Sequence, residues 1–263
     1  MTAIWGIVNV TPDSFSDGGR YLDPDAALAR GRLLRAQGAA VLDVGGESTR
    51  PGSVRVDPAE EQRRVLPVIE RLAADGIAVS VDTLNATTAV AAVAAGARIV
   101  NDVSGGLADP DMLVAVAETG ADIALGHWRG PSSDMYARAE YGRVGREVAA
   151  ELRGRIEAAA AAGIAPSRVI VDPGVGFAKT GEQNWELLRD LSDVVALGSR
   201  VLVGTSRKRF LASALGDDAD EARRDLATAV SSALAARAGA WAVRVHDVAA
   251  TRDALAVVAA WDG

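Results

Sequence analysis

The rarest ionisable side chains in this 263-residue chain are two lysines and two histidines, and each closes a strand-like apolar run. Lys179 ends VIVDPGVGFAK, Lys208 ends VLVGTSRK, His127 ends IALGH and His246 ends VRVH. Elsewhere positive charge is carried by Arg. Arg replaces Lys well on a solvated surface, but not where chemistry needs a compact ammonium on a flexible stem. The four residues point to one rim of one architecture; chance placement in loops is the plain alternative. Arg244 and His246 lie two apart on one strand, so their side chains point the same way. With Asn9 and Thr49 nearby they suit a phosphate or pyrophosphate. Asn9 alone is a weak metal ligand, yet Mg²⁺ commonly takes one or two protein oxygens plus phosphates and water. Asp82, Asn101 and Asp172 offer acceptors and an amide donor for a planar, nitrogen-rich heterocycle. Lys208 adds a donor and a charge. It could instead form a Schiff base, with Arg207 and Arg209 helping to lower its pKa.

These residues need elements to carry them. Strand-like runs are expected at Ile4–Val10, Ala40–Val44, Ala78–Asp82, Arg98–Asn101, Asp122–Leu125, Arg168–Asp172, Val201–Gly204 and Ala242–Val245. They are short, rich in Val and Ile and nearly unbroken, as strands of a parallel sheet covered on both faces should be. Amphipathic helices are expected at Pro24–Gln37, Pro58–Ala74, Thr87–Ala95, Asp111–Glu118, Arg143–Ala162, Glu182–Leu191, Arg209–Leu215 and Val248–Trp261, with an extra helix at Asp220–Ala238. Several begin with an acid, a hydroxyl or Pro, and several end at Gly: Gly38, Gly76, Gly96, Gly120 and Gly163. Eight such units imply an α/β protein, a (β/α)8 TIM barrel forming one domain over residues 1–263. An open doubly wound sheet is the alternative. It would carry a GxGxxG turn after strand one, where this chain has TPDSFSDGG.

Chemistry in such barrels sits at the C-terminal strand ends. Those ends carry Asn9, Asp43, Asp82, Asn101, His127, Asp172, Ser206 with Lys208, and Arg244 with His246. Packing does not explain them, because Asp and Asn are poor strand formers and are costly to bury unpaired. Asp43 is the weakest member and could simply cap a turn before Gly45. The loops Asn9–Gly19 and Gly45–Gly52 are long and glycine-punctuated. Loops of that length in a compact domain are more often lids than plain turns.

The bulk properties narrow the partners. The formal charge is −7 and the longest basic run is Arg207-Lys208-Arg209, so nucleic acid is an unsuitable partner. With no cysteine there is neither a disulfide framework nor a thiolate zinc site. No apolar stretch approaches the roughly 20 residues of a membrane span. The N-terminus does not read as a signal peptide. A cytoplasmic protein with no membrane partner is the expectation.

Eight segments together resemble the dihydropteroate synthase family, in its actinobacterial form. They are NVTPDSFSDGG (Asn9–Gly19), GGESTRPG (Gly45–Gly52), SVDT (Ser80–Thr83), NDVSGG (Asn101–Gly106), HWRG (His127–Gly130), DPGVGFAKT (Asp172–Thr180), SRKRF (Ser206–Phe210) and RVHDV (Arg244–Val248). They run in order over most of the chain. The resemblance implies condensation of 6-hydroxymethyl-7,8-dihydropterin diphosphate with 4-aminobenzoate, giving 7,8-dihydropteroate and pyrophosphate by a dissociative displacement. It implies that Asp82, Asn101, Asp172 and Lys208 bind the pterin, and that Thr49, Arg244 and His246 contact the diphosphate. By the same resemblance Asn9 binds Mg²⁺, and Phe15, Asp17, Arg50, Pro51 and Ser206 form the aminobenzoate side. Asp17, Lys208, Arg244 and His246 are the catalytic candidates, Asp17 supplying negative charge near the developing cation. The resemblance also implies a homodimer and a sulfonamide target. Two departures stand out: Gly126 where many members have Met, altering the pterin pocket's wall, and Ala178 where many have Gly. A corrinoid-type pterin-binding methyltransferase would share the barrel without needing the SRK and RVH anion site. A non-catalytic pterin-binding paralogue is a second alternative.

Overall fold

The computed structural model describes residues 2–11, 24–47, 55–130, 138–216 and 218–263. Eight parallel strands close into one barrel in chain order: β1 (Ala3–Asn9), β2 (Val41–Gly45), β3 (Val79–Asp82), β4 (Ile99–Asp102), β5 (Asp122–Gly126), β6 (Val169–Asp172), β7 (Arg200–Val203) and β8 (Ala242–Val245). β1 pairs with both β2 and β8, which rules out the open sheet. The outer ring comprises α1 (Pro24–Gln37), α2 (Pro58–Ala74), α3 (Ala86–Ala94), α4 (Met112–Thr119), α5 (Val144–Ala161), α6 (Gly181–Arg189), α7 (Leu191–Val195), α8 (Arg209–Leu215), α9 (Glu221–Arg237) and α10 (Val248–Asp262). Among the described residues no helix is long and apolar enough to cross a membrane.

Local chemistry explains most boundaries. α9 is the expected extra helix, and Asp220 caps it by accepting the Arg223 N–H at 2.8 Å. α6 opens on a reciprocal capping box between Thr180 and Gln183. α4 ends on Gly120 at φ 78°, a left-handed conformation that suits glycine. The expected helix Glu182–Leu191 is divided: Asp190 leaves helical geometry between α6 and α7.

Two apolar layers hold the barrel. The larger lies between strands and helices. The smaller plugs the N-terminal half of the interior with Trp5, Val41, Ile99, Ala124, Ile170, Leu202 and Ala242. Trp5 meets Trp241 edge-on with ring centroids 6.3 Å apart. Each large aliphatic side chain of this set contributes roughly 1.5–3 kcal/mol. The plug keeps water out from below, so polar groups in the upper half rest on a dry floor.

Candidate active site

Strand register sets the first row of the mouth. Asn9 pairs with Gly45, Gly45 with Asp82, and Asp82 with Asn101. Gly45 leaves a gap in that row, since a methyl group there would stand 3.4 Å from Asp82 Cβ. Asp82 and Asn101 are buried. The next residue, Asp102, faces away, as strand alternation requires. It accepts the backbone N–H of Ser104 and Gly106 and so shapes the β4–α4 turn.

Arg244 organises the floor. Its Nε donates to Asp43 Oδ2 at 2.5 Å and its Nη2 to Asp82 Oδ2 at 2.7 Å. Asn101 Nδ2 donates to the same Asp43 oxygen at 3.1 Å. Asp43 is therefore no turn cap. It is fully buried within β2 and anchors the network. Burial works against the Arg244 charge, but Asp43 and Asp82 outweigh it and hold the guanidinium firmly protonated. Burial pushes the Asp82 carboxyl up to about 7, with Arg244 opposing and Asp43 adding to the rise. Among the described residues Arg244 Nη1 has no partner, and a fifth of the side chain stays open to the mouth.

Asp172 and Lys208 complete the floor from β6 and the loop after β7. A methyl group on Gly204 would lie 3.9 Å from Arg244 Cβ, Asp172 Oδ2 and Lys208 Nζ alike, so the three side chains converge there. Asp172 Oδ1 accepts the Gly174 N–H at 2.7 Å. Burial raises the Asp172 pKa against the opposing Lys208 charge. Burial lowers Lys208 to about 8, with Asp172 opposing and Arg244 lowering it further. Lys208 Nζ donates to the Val175 carbonyl and lies 4.7 Å from the Phe177 ring centroid. The expectation that Arg207 and Arg209 tune Lys208 does not hold. Arg207 turns to α9 and pairs with Asp225 through two bonds of 2.7 Å, and Arg209 is exposed.

The anion side is built from β8 and the loop after β7. His246 N donates to Ser206 Oγ at 3.0 Å, and Ser206 Oγ lies 2.8 Å from His246 Nδ1. A hydroxyl that accepts the backbone N–H can give its own proton to Nδ1. In that tautomer the ring carries its proton on Nε2. Ser206, expected on the aminobenzoate side, thus also orients His246.

The four rare residues do not share one rim. Lys208 and His246 are at the mouth. His127 and Lys179 are buried beside it and bonded to each other, His127 Nδ1 to Lys179 Nζ at 3.0 Å. His127 Nε2 meets Glu151 of α5 at 2.9 Å. A cavity of about 280 Å³ lies on this outer side, lined by His127, Trp128, Glu151 and Arg155 among others, apart from the floor residues. The two departures from the family pattern sit next to these groups in the chain, Gly126 opposite Asp172 at the end of β5 and Ala178 before the buried Lys179. A methyl group on Gly126 would stand 2.4 Å from the Val103 carbonyl, so glycine lets the β4–α4 turn close onto β5. Ala178 adopts φ 49°, a left-handed conformation where glycine carries no strain.

Phe15, Asp17, Thr49, Arg50 and Pro51 lie outside the described residues. Asn9 ends β1 at the mouth and offers one amide oxygen. Among the described residues no cluster of three acidic, His or Cys side chains could hold a metal by itself. That donor set fits only an ion that arrives with its own phosphate oxygens.

Sequence reading missed Glu61, Glu151 and the inward course of Lys179. Glu61 is fully buried, and its Oε2 accepts from Thr83 Oγ1 at 3.0 Å and Asn85 Nδ2 at 2.7 Å, bracing the β3–α3 connection. A signal for it existed: Glu61 shares the helical stripe of Val65, Val68, Ile69 and Leu72. Glu151 had none, because one acid among the charges of α5 looks like solvated surface.

Comparison with known proteins agrees with this geometry. A family model described as pterin binding enzyme matches residues 5–246. The chain is 54% identical over 261 residues to the dihydropteroate synthase of Mycobacterium leprae (strain TN), covering 97% of this chain and 92% of that protein. The Xanthomonas albilineans dihydropteroate synthase with 4-aminobenzoic acid matches with TM-score 0.92 at 45% identity, covering 100% of this chain and 93% of that one. The same organism's enzyme in complex with 7,8-dihydropteroate matches with TM-score 0.89 at 43% identity, covering 100% and 94%. With a parallel barrel, a buried acceptor floor and a basic edge all in place, this chain belongs to the pterin-binding enzyme family, among the dihydropteroate synthases.

Proposed function

We propose that the enzyme joins 6-hydroxymethyl-7,8-dihydropterin diphosphate to 4-aminobenzoate, releasing pyrophosphate and 7,8-dihydropteroate. The observation that carries this reading is the convergence of Asp172, Lys208 and Arg244 around Gly204, beside the buried Asp82 and Asn101. One wall is acidic and accepts hydrogen bonds from the N–H edge of a pterin. The facing edge is basic and receives a leaving anion.

The chain's own groups then have distinct tasks. Asp172 and Asp82 accept from the heterocycle, Asn101 donates or accepts, and Lys208 donates to a ring heteroatom. The methylene C–O bond breaks and its electron pair leaves with the diphosphate. The pterin and the nearby carboxylates stabilise the resulting cation, to which Asp17 would add charge. Arg244, through its open Nη1 edge, and His246, through Nε2–H, hold the departing anion, with Thr49 as a third contact. The amine of 4-aminobenzoate forms the new C–N bond and gives up a proton. No nucleophilic side chain is required, because an arylamine held in place is competent. Phe15, Arg50, Pro51 and Ser206 would form the aminobenzoate side, the one a sulfonamide would occupy. A Mg²⁺ ion fits if it enters with the diphosphate and takes the Asn9 oxygen; it would neutralise leaving-group charge.

The methyltransferase and paralogue readings lose ground to the two lysine- and arginine-bearing strand ends, which a folate methyl group does not need. Pyrophosphate release from the pterin diphosphate, with and without 4-aminobenzoate, tests the proposal. Release that requires both substrates supports it, and none under either condition overturns it.

A homodimer and a cytoplasmic location belong to the same reading. Leu226, Val230 and Leu234 form an exposed stripe on α9, and Val257 and Trp261 are exposed on the adjoining α10. A two-fold pairing of this face with a second copy would cover it. Val230→Glu should then convert a dimer to a monomer in light scattering, while a monomeric starting protein would refute the pairing.

A further inference from the structure

The β6–α6 loop runs between two lysines. The carbonyl of Val175 accepts from Lys208, and Gly176 leaves room for the Lys208 stem, where a methyl group would stand 2.7 Å from Cδ. The carbonyls of Gly174 and Phe177 turn instead to Lys179 Nζ, each at 3.0 Å. His127 Nδ1 completes the set at 3.0 Å. Burial lowers Lys179 to about 7 against the opposing Asp172 charge, but three acceptors around one nitrogen need three N–H groups, which only the ammonium supplies. Lys179 is 1% exposed, so none of this is surface pairing.

His127 is fitted to that task. Its backbone N–H donates to the Asp172 carbonyl at 2.9 Å, so it is tied to the strand that bears the pterin acceptor. Burial, helped by Lys179, lowers the ring to about 4, which keeps it neutral. With Nε2–H donated to Glu151, Nδ1 can only accept. Glu151 is in turn clasped by Arg129, whose Nη2 lies 2.5 Å from Oε1. Arg129 also stacks on Tyr141, 3.8 Å from the ring centroid. A guanidinium could not replace Lys179, since its donors lie in a rigid plane rather than around one atom.

We infer that Lys179 is a positioning residue for the reaction: its ammonium, backed by His127 and Glu151, holds the β6–α6 loop in the shape that presents Asp172 and the Val175 carbonyl to Lys208 and the pterin. The inference rests on the proposed function for the reaction it serves. It requires no contact between Lys179 and any substrate.

The test compares the full-length wild type with Lys179→Met, which keeps the stem and removes the donors. Expected are a fall of about tenfold or more in kcat/KM for the pterin diphosphate and a 4-aminobenzoate KM within about twofold of wild type. Hydrogen exchange should quicken at the amides of residues 174–180 and stay unchanged in β1–β4. His127→Asn retains an acceptor facing Lys179 and should keep near wild-type turnover, whereas His127→Leu should reproduce the Lys179→Met defect. This pair decides the matter if Lys179→Met does not fold. Wild-type kcat/KM in Lys179→Met, equal damage to both substrates, or an Asn variant as poor as the Leu variant would each overturn the inference. An inactive wild type would overturn the functional reading itself, a distinct result from an active wild type with an equally active variant.

Discussion

Arg244 and Asp43 are 201 residues apart in sequence, yet Nε of one lies 2.5 Å from Oδ2 of the other, over β1. The pair sets the electrostatics of the mouth. Two carboxylates share one guanidinium, so the floor has room for a heterocycle's hydrogen-bond donors without collapsing into neutral pairs. Asp43→Asn should cost about 3 kcal/mol, as breaking a buried ion pair does. A turn cap would cost about 1 kcal/mol. Urea unfolding separates the two, and a loss at the lower value would return Asp43 to the role of a cap.

Asp172→Asn should leave the protein folded, because the amide oxygen can still accept the Gly174 N–H. Pterin binding should weaken by about 1.5–3 kcal/mol, the usual loss for a hydrogen bond to a charged group. Titration calorimetry with the pterin diphosphate measures this directly. Unchanged affinity would remove Asp172 from the pterin-binding set.

Lys208→Arg keeps the charge but should lower kcat/KM by about tenfold or more, since a planar fork cannot follow the path over Gly176 to the Val175 carbonyl. Steady-state kinetics give the size of the loss. Burial brings the amine down to about 8, a range that also suits Schiff-base chemistry. If borohydride with an aldehyde or ketone substrate traps an adduct at Lys208, the lysine acts covalently and the displacement scheme fails.

Acid should destabilise the protein partly through His127. Its folded pKa is about 4 against the usual 6.5, because burial first and the Lys179 charge second disfavour the imidazolium. Between those values the unfolded chain binds a proton that the folded protein does not. Stability therefore falls as pH drops from about 6.5 to 4, by roughly 3 kcal/mol at most. Glu151 adds a lower step. Burial raises its pKa, but bonds from His127 and Arg129 outweigh that and bring it to about 2, so its contribution is lost below about 4.5. Asp82, raised to about 7, works in the opposite sense, since its folded form gains a proton first. The informative quantity is thus the difference between wild type and His127→Asn in denaturant stability from pH 7 to pH 4. The variant should lack the upper step; parallel curves would show that His127 does not supply it.

The barrel is legible in the sequence because its signal is local. Val- and Ile-rich runs such as Val169–Asp172 need covering on both faces, and caps such as Asp220 and Gly120 punctuate the helices between them. Asp82, Asn101, Asp172, Lys208 and Arg244 were legible for a related reason: a polar residue at the end of an apolar strand has no cheap place except the mouth. Tertiary structure alone decided how these side chains pair. Asp43 looked like a turn residue until closure of the barrel brought β8 beside β1 and set Arg244 against it. Arg207 precedes Lys208 in sequence but faces α9, because its left-handed backbone, φ 57°, turns it away. Lys179 and Lys208 flank one loop from opposite sides, one sealed inside and the other lining the site. Residue type and strand period state which groups reach the end of a strand, whereas their charge partners come from other strands and loops, up to 201 residues distant, and only closure of the chain brings those together.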